Sequence, residues 1–93
     1  MNTELQEIAL ENCFDDQEEE IDFLNDAWAS GDADIVRKSL LILAKKKGMQ
    51  EISKDSGLAR SSVYKALSDK GNPKLDTFIN IILSLNIKAT FSV

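Results

Sequence analysis

The sequence has no histidine, one cysteine and one proline, and each scarcity removes a class of function. A single thiol, Cys13, cannot close an intrachain disulfide, and without histidine a Cys/His zinc site cannot be assembled. Acyl transfer by a Ser/His or Cys/His pair is excluded on the same ground. Near-neutral proton transfer would fall to a carboxylate or lysine of strongly shifted pKa, for which the sequence offers no argument. The expectation is a protein that is not an enzyme and needs no cofactor or metal, with Cys13 a small, semi-buried apolar residue. Long apolar runs are also missing, so no stretch suits a bilayer crossing. Met1 to Leu10 carries Glu4 and Glu7 in place of a cationic flank, which argues against a secretory signal. A cytoplasmic location with no membrane partner is expected.

Basic residues are absent from the first 34 positions. That stretch holds twelve of the chain's acids and a net charge of −12, whereas residues 35–93 hold all 11 Lys and Arg against Glu51, Asp55, Asp69 and Asp76, a net of +7. The overall −5 therefore averages two unlike pieces and does not exclude a nucleic acid as partner. Opposite charge at the two ends suggests two partners of opposite sign. For Glu18, Glu19 and Glu20 there is also a local reading, because acids in a first helical turn suit the positive end of the helix dipole.

What is present reads as helix. With 93 residues, 43% hydrophobic and 29% charged, the chain suits one compact domain. Ile21, Leu24, Ala27 and Trp28 recur at helical spacing between Asp16 and Ser30, with Phe23 widening the stripe. Asp15 or Asp16 can cap that helix, and Gly31 can end it. Asp32 caps a second helix over Ala33 to Lys47, which buries Val36, Leu40, Leu43 and Ala44 and closes on Lys45, Lys46 and Lys47 before Gly48. Those lysines serve either the negative helix end or phosphate contact. A short helix follows over Met49 to Ser56 and another over Ala59 to Ser68. After the loop Lys70-Gly71-Asn72-Pro73, a last helix runs to about Leu85 with Leu75, Phe78, Ile79, Ile82 and Leu85 on its apolar face. Ile87 to Val93 alternates apolar and polar residues like a strand, which would need a partner across a dimer axis or on another protein's sheet edge.

Met49 to Ser68 has the steric pattern of a helix-turn-helix. Ile52, Leu58, Val63 and Leu67 point to a shared core, Ser53 is small where two helices approach, and Gly57 can take the positive φ of the turn. In such a unit the second helix lies in the major groove, which nominates Arg60, Ser61, Ser62, Tyr64 and Lys65. The Arg60 guanidinium matches the O6 and N7 acceptors of guanine, while Ser61 and Ser62 serve bases or phosphates. Gln50, Lys54, Lys70, Asn72 and Lys74 are candidate backbone contacts. One recognition helix reads only a short half-site, so a homodimer is expected, joined by the strand-like tail or the last helix.

These residues carry a resemblance. Gly48-Met49, the helix end from Ile52 to Gly57, the run from Ser61 to the closing Tyr64-Lys65-Ala66-Leu67, and Gly71-Asn72-Pro73 resemble the Cro/repressor-type antitoxins of the addiction-module antidote family. Phe14-Asp15 and Phe23-Leu24 resemble the family's upstream portion. The fold this implies is all-α, a five-helix Cro/repressor-like helix-turn-helix fold with an N-terminal acidic helical extension and a short C-terminal strand, divided into an acidic arm and helix over 1–31 and a helix-turn-helix DNA-binding domain over 32–93. Ala59 stands where the family usually has a capping serine, which leaves the recognition helix starting at Ala59 or at Ser61. The function implied is that of an antitoxin in a type II toxin-antitoxin system. It would neutralise a small basic toxin of the RelE/ParE superfamily and repress its own operon by binding operator double-stranded DNA. Toxin contact then falls on Phe14, Asp15, Asp16, Glu18, Glu19, Glu20 and Phe23. A stand-alone repressor without a toxin partner is the alternative reading, and a pure protein-interaction module on the same scaffold is a third.

Overall fold

A computed structural model describes residues 17–93 of the chain, which form five helices and, among the described residues, no strand. They are α1 (Gln17–Ala29), α2 (Ala33–Lys47), α3 (Met49–Ser56), α4 (Arg60–Ala66) and α5 (Leu75–Ser84). Phe14, Asp15 and Asp16, expected to cap α1 or meet a toxin, lie outside the described residues, as does Cys13.

Local signals set most of the helix ends. The Asp32 carboxylate accepts the Asp34 amide at 2.9 Å, which satisfies one of the free donors opening α2. At the other end Lys45, Lys46 and Lys47 occupy the last turn before Gly48. α5 closes on Leu85, and Asn86 follows with φ +60°, the left-handed conformation that asparagine tolerates best after glycine. Its carbonyl accepts the Gln17 side-chain amide at 3.1 Å, tying the start of α1 to the end of α5.

The core is built around α3, which packs on α2, α4 and α5. Leu40, Ile52, Val63, Leu67 and Ile81 are wholly enclosed, with Leu43, Ala44, Met49, Ala66 and Leu85 beside them. Each enclosed aliphatic side chain contributes about 1.5–3 kcal/mol to folding. α1 lies on α2 and enters this core through Phe23 and Leu24, which are partly buried, and Ala27, which is buried. A half-buried ion pair from Lys46 to Glu20 at 2.8 Å holds the two helices together.

Three expectations are corrected. Ile87 to Val93 does not form a strand: Ile87 packs against the core and Lys88 to Val93 is exposed, because the described residues offer no sheet edge on which the alternating pattern could hydrogen-bond. On α5 the inward face is Ile81, Ser84 and Leu85, with Phe78 and Ile82 at its margin, while Leu75 and Ile79 face out. Trp28, expected on the buried stripe of α1, is half-exposed and meets the Phe78 ring at a centroid distance of 6.2 Å.

Candidate nucleic-acid interface

α3 and α4 are joined by the three residues Gly57, Leu58 and Ala59. Gly57 takes φ +75° and ψ +13°, and its amide donates to the Ser53 carbonyl at 3.0 Å, so α3 stops there and does not continue as a rod. Ser53 does more than leave room. Its hydroxyl donates across the turn to the Leu58 carbonyl, while the Leu58 amide donates to the Ser56 hydroxyl at 3.2 Å. The two serines thus satisfy the backbone of a turn that has no secondary structure of its own.

α4 begins at Arg60, with Ala59 at the capping position and no side-chain cap, so of the two starts left open by the sequence neither Ala59 nor Ser61 is the first helical residue. Its inward side is narrow: Val63 and Ala66 are buried, as is Leu67 just beyond. Arg60, Ser61, Ser62, Tyr64 and Lys65 are all exposed. Gln50 and Lys54 are exposed on α3, and Lys70, Asn72 and Lys74 on the loop that leaves α4.

The cations divide into two groups. Arg37 and Lys38 pair with Asp34, Lys38 also with Asp69, Lys46 with Glu20, and Lys47 with Asp55. Lys47 donates besides to the Ser84 carbonyl, linking α2 to α5. The Asp34 hydrogen bond and charge, helped by Asp69, raise the Lys38 pKa above its ordinary 10.5. By contrast Lys54, Arg60, Lys65, Lys70 and Lys74 have no carboxylate partner among the described residues. Lys45 on α2 and Lys88 in the tail likewise have no carboxylate partner among the described residues, so five of the seven uncommitted cations lie on α3, α4 and the following loop, and the committed ones on α2.

One residue of consequence is absent from the sequence-based set. The Arg37 guanidinium, mostly buried, donates to the Ser68 and Asp69 carbonyls at 3.1 Å each and to the Asp34 carboxylate at 3.3 Å. It fastens the far end of α4 to α2 from more than thirty positions away. No local signal announces such a contact.

Of the residues nominated for toxin contact, Glu18 and Glu19 are exposed in the first turn of α1. Glu20 is engaged by Lys46, and Phe23 packs partly buried against the core. No helix among the described residues is long and apolar enough to cross a membrane.

A family model described as "Probable addiction module antidote protein" matches residues 4–93. The chain belongs to that family. A relative from Haemophilus influenzae (strain ATCC 51907 / DSM 11121 / KW20 / Rd), itself named only as an uncharacterized protein, is 33% identical over 72 residues, 76% of this chain and 74% of the relative. No solved structure matches. The family is one of antidotes, so this antidote-family chain implies a cognate toxin as partner.

Proposed function

We propose that this antidote-family protein is the antitoxin of a two-protein addiction module, that it binds and neutralises a basic toxin of the RelE/ParE superfamily, and that it represses its own operon through α3 and α4. The toxin falls to residues 1–31, where acidic side chains suit a nucleic-acid-binding partner of opposite charge. DNA falls to residues 32–93, with α3 and α4 as a helix-turn-helix.

The observation that carries the operator-reading half is the outward set Arg60, Ser61, Ser62, Tyr64 and Lys65 on a helix that buries only Val63 and Ala66. A helix so little buried and so rich in donors fits a major groove, where Arg60 reads guanine and the serines take bases or phosphates. Lys54, Lys70 and Lys74, unpaired among the described residues, then meet the backbone on either side. Family membership supports the toxin-binding half.

Two measurements test the halves separately. Co-purification with the product of the adjacent reading frame is expected to give a stable complex and restored growth in cells expressing that product. A neighbour that is neither bound nor toxic defeats the antitoxin reading and leaves a stand-alone repressor. Titration of the chain's own promoter fragment against a scrambled fragment, over a range of salt, is expected to show tighter promoter binding. Equal, salt-insensitive binding to both fragments defeats the operator reading.

A further inference from the structure

A cleft of about 300 Å³ opens between α1, α5 and the tail, at the low end of the volumes that ligand sites occupy. Ile21, Leu24, Trp28, Ile82, Ile87 and Phe91 line it. Trp28 and Phe91 are 54% and 85% exposed, so apolar surface reaches the mouth. Beside it runs a ridge of charge. Glu18, Asp22 and Asp26 follow one another at steps of four, which stacks them along α1 next to the stripe of Ile21, Asn25 and Trp28. All three acids are exposed, and none pairs with a cation among the described residues. We infer that this cleft seats the toxin, by a segment that sets an apolar side chain against Trp28 and Phe91 and lysine or arginine over Asp22 and Asp26.

The inference rests on the antitoxin reading and gives it a place on the molecule. Of the residues first nominated for toxin contact, Glu20 is spent on Lys46 and Phe23 on the core. The contact therefore moves round α1, to Asp22, Asn25, Asp26 and Trp28, none of which was nominated. An aromatic at the mouth of a hollow is a common anchor point of an interface. Like charges four residues apart repel and destabilise the helix that carries them, a cost that a cationic partner relieves.

Charge also decides among occupants. A DNA duplex would set phosphates against the ridge. A second copy of the chain would bring the same ridge to face it. Residues 1–16 hold Glu4, Glu7, Glu11, Asp15 and Asp16 and no base, so folding them into the cleft would set acid beside acid as well. Lys88, the one cation in the described lining, is outnumbered by the three acids. Only a basic partner gains twice, because water leaves the apolar hollow and the ridge meets opposite charge at its rim. Such rim pairs steer encounter and weaken with salt.

The test is a titration of the toxin, taken from the adjacent reading frame, with full-length wild-type and variant chains, each also checked for promoter binding and self-association. Asp22→Lys and Asp26→Lys, at exposed positions, are each expected to weaken toxin binding about tenfold or more, most at low salt. Asp76→Lys makes the same change of charge on α5, far along the chain from the ridge, and is expected to bind toxin like wild type. Asn25→Trp fills the mouth without changing charge and is expected to cost about tenfold as well. Circular dichroism and melting temperature should stay near wild type in all four. Equal losses in Asp76→Lys and the ridge variants reduce the effect to net charge and overturn the inference, as does an Asn25→Trp variant that binds toxin normally. An Asn25→Trp variant that instead loses promoter binding or self-association puts DNA or a second copy in the cleft, which overturns it too. A wild-type complex that every variant leaves intact defeats the inference alone, whereas a wild type that forms no complex defeats the antitoxin reading and the inference with it.

Discussion

At Gly57 and Gly71 the same side chain is demanded for different physical reasons, and the two can be separated by substitution. Gly57 sits at φ +75°, yet a Cβ built there meets nothing within 4 Å. Gly57→Ala therefore carries only the left-handed backbone penalty, about 1–2 kcal/mol, and Gly57→Asn should lose less. At Gly71 the conformation is ordinary but a Cβ would collide with the Ala66 carbonyl, part of the backbone closing α4. Gly71→Ala must displace the loop or the helix end, and the expected loss is larger, roughly 3 kcal/mol or more. Urea denaturation of the two alanine variants ranks them, and the reverse order would show that the turn after α3 is the tighter site. Arg60 offers a functional counterpart. Being exposed and unpaired among the described residues, it can be truncated without disturbing the fold, so Arg60→Ala should leave stability unchanged within about 0.5 kcal/mol. Specific promoter affinity should fall by about 1–3 kcal/mol. Unchanged promoter affinity would remove Arg60 from the base-reading set.

Among the helices, α4 depends most on its neighbours. Seven residues cannot sustain a helix in water, and α4 has no side-chain cap. What holds it is the burial of Val63, Ala66 and Leu67 together with the two carbonyls fastened by Arg37. Arg37→Ala removes both fastenings and leaves Asp34 to Lys38 alone, for an expected loss of about 1–3 kcal/mol. Hydrogen exchange should rise first in α4 and the loop behind it, and exchange rising uniformly over the chain would contradict a local role. The same element shows what was legible beforehand. The turn at Gly57, the outward Arg60 to Lys65 set and the enclosed Ile52, Val63 and Leu67 follow from patterns within twenty residues, and the chain writes them plainly. Arg37 does not, since a donor's partner more than thirty positions away has no periodic signature. The inward face of α5 is only partly legible for a related reason: with Leu75, Phe78, Ile79, Ile81, Ile82, Leu83 and Leu85 all apolar, the period permits two inward faces, and packing on α3 keeps Phe78, Ile82 and Leu85 but selects Ile81 over Leu75 and Ile79. The alternation in the tail describes side chains but supplies no hydrogen-bonding neighbour, so it does not make a strand.

Across the whole molecule the division of charge makes a prediction about salt that separates binding from folding. Each phosphate contact made by a lysine releases condensed counterion, so the logarithm of promoter affinity falls with the logarithm of salt by roughly 0.9 per contact. Lys70 and Lys74 are exposed and lack a carboxylate partner among the described residues. Lys70→Gln and Lys74→Gln should each flatten the slope by about that amount while leaving the melting temperature in place. Lys46 and Lys47 carry equal charge but spend it internally, on Glu20, Asp55 and the end of α5. Their glutamine variants should lower the melting temperature, because Glu20 and Asp55 lose their partners, and should keep the slope of the wild type. A net-charge effect would flatten the slope alike in all four variants, since each loses one positive charge. Only a placed interface on α3, α4 and the following loop would distinguish them, and that is what the proposed operator binding by a chain of net negative charge requires.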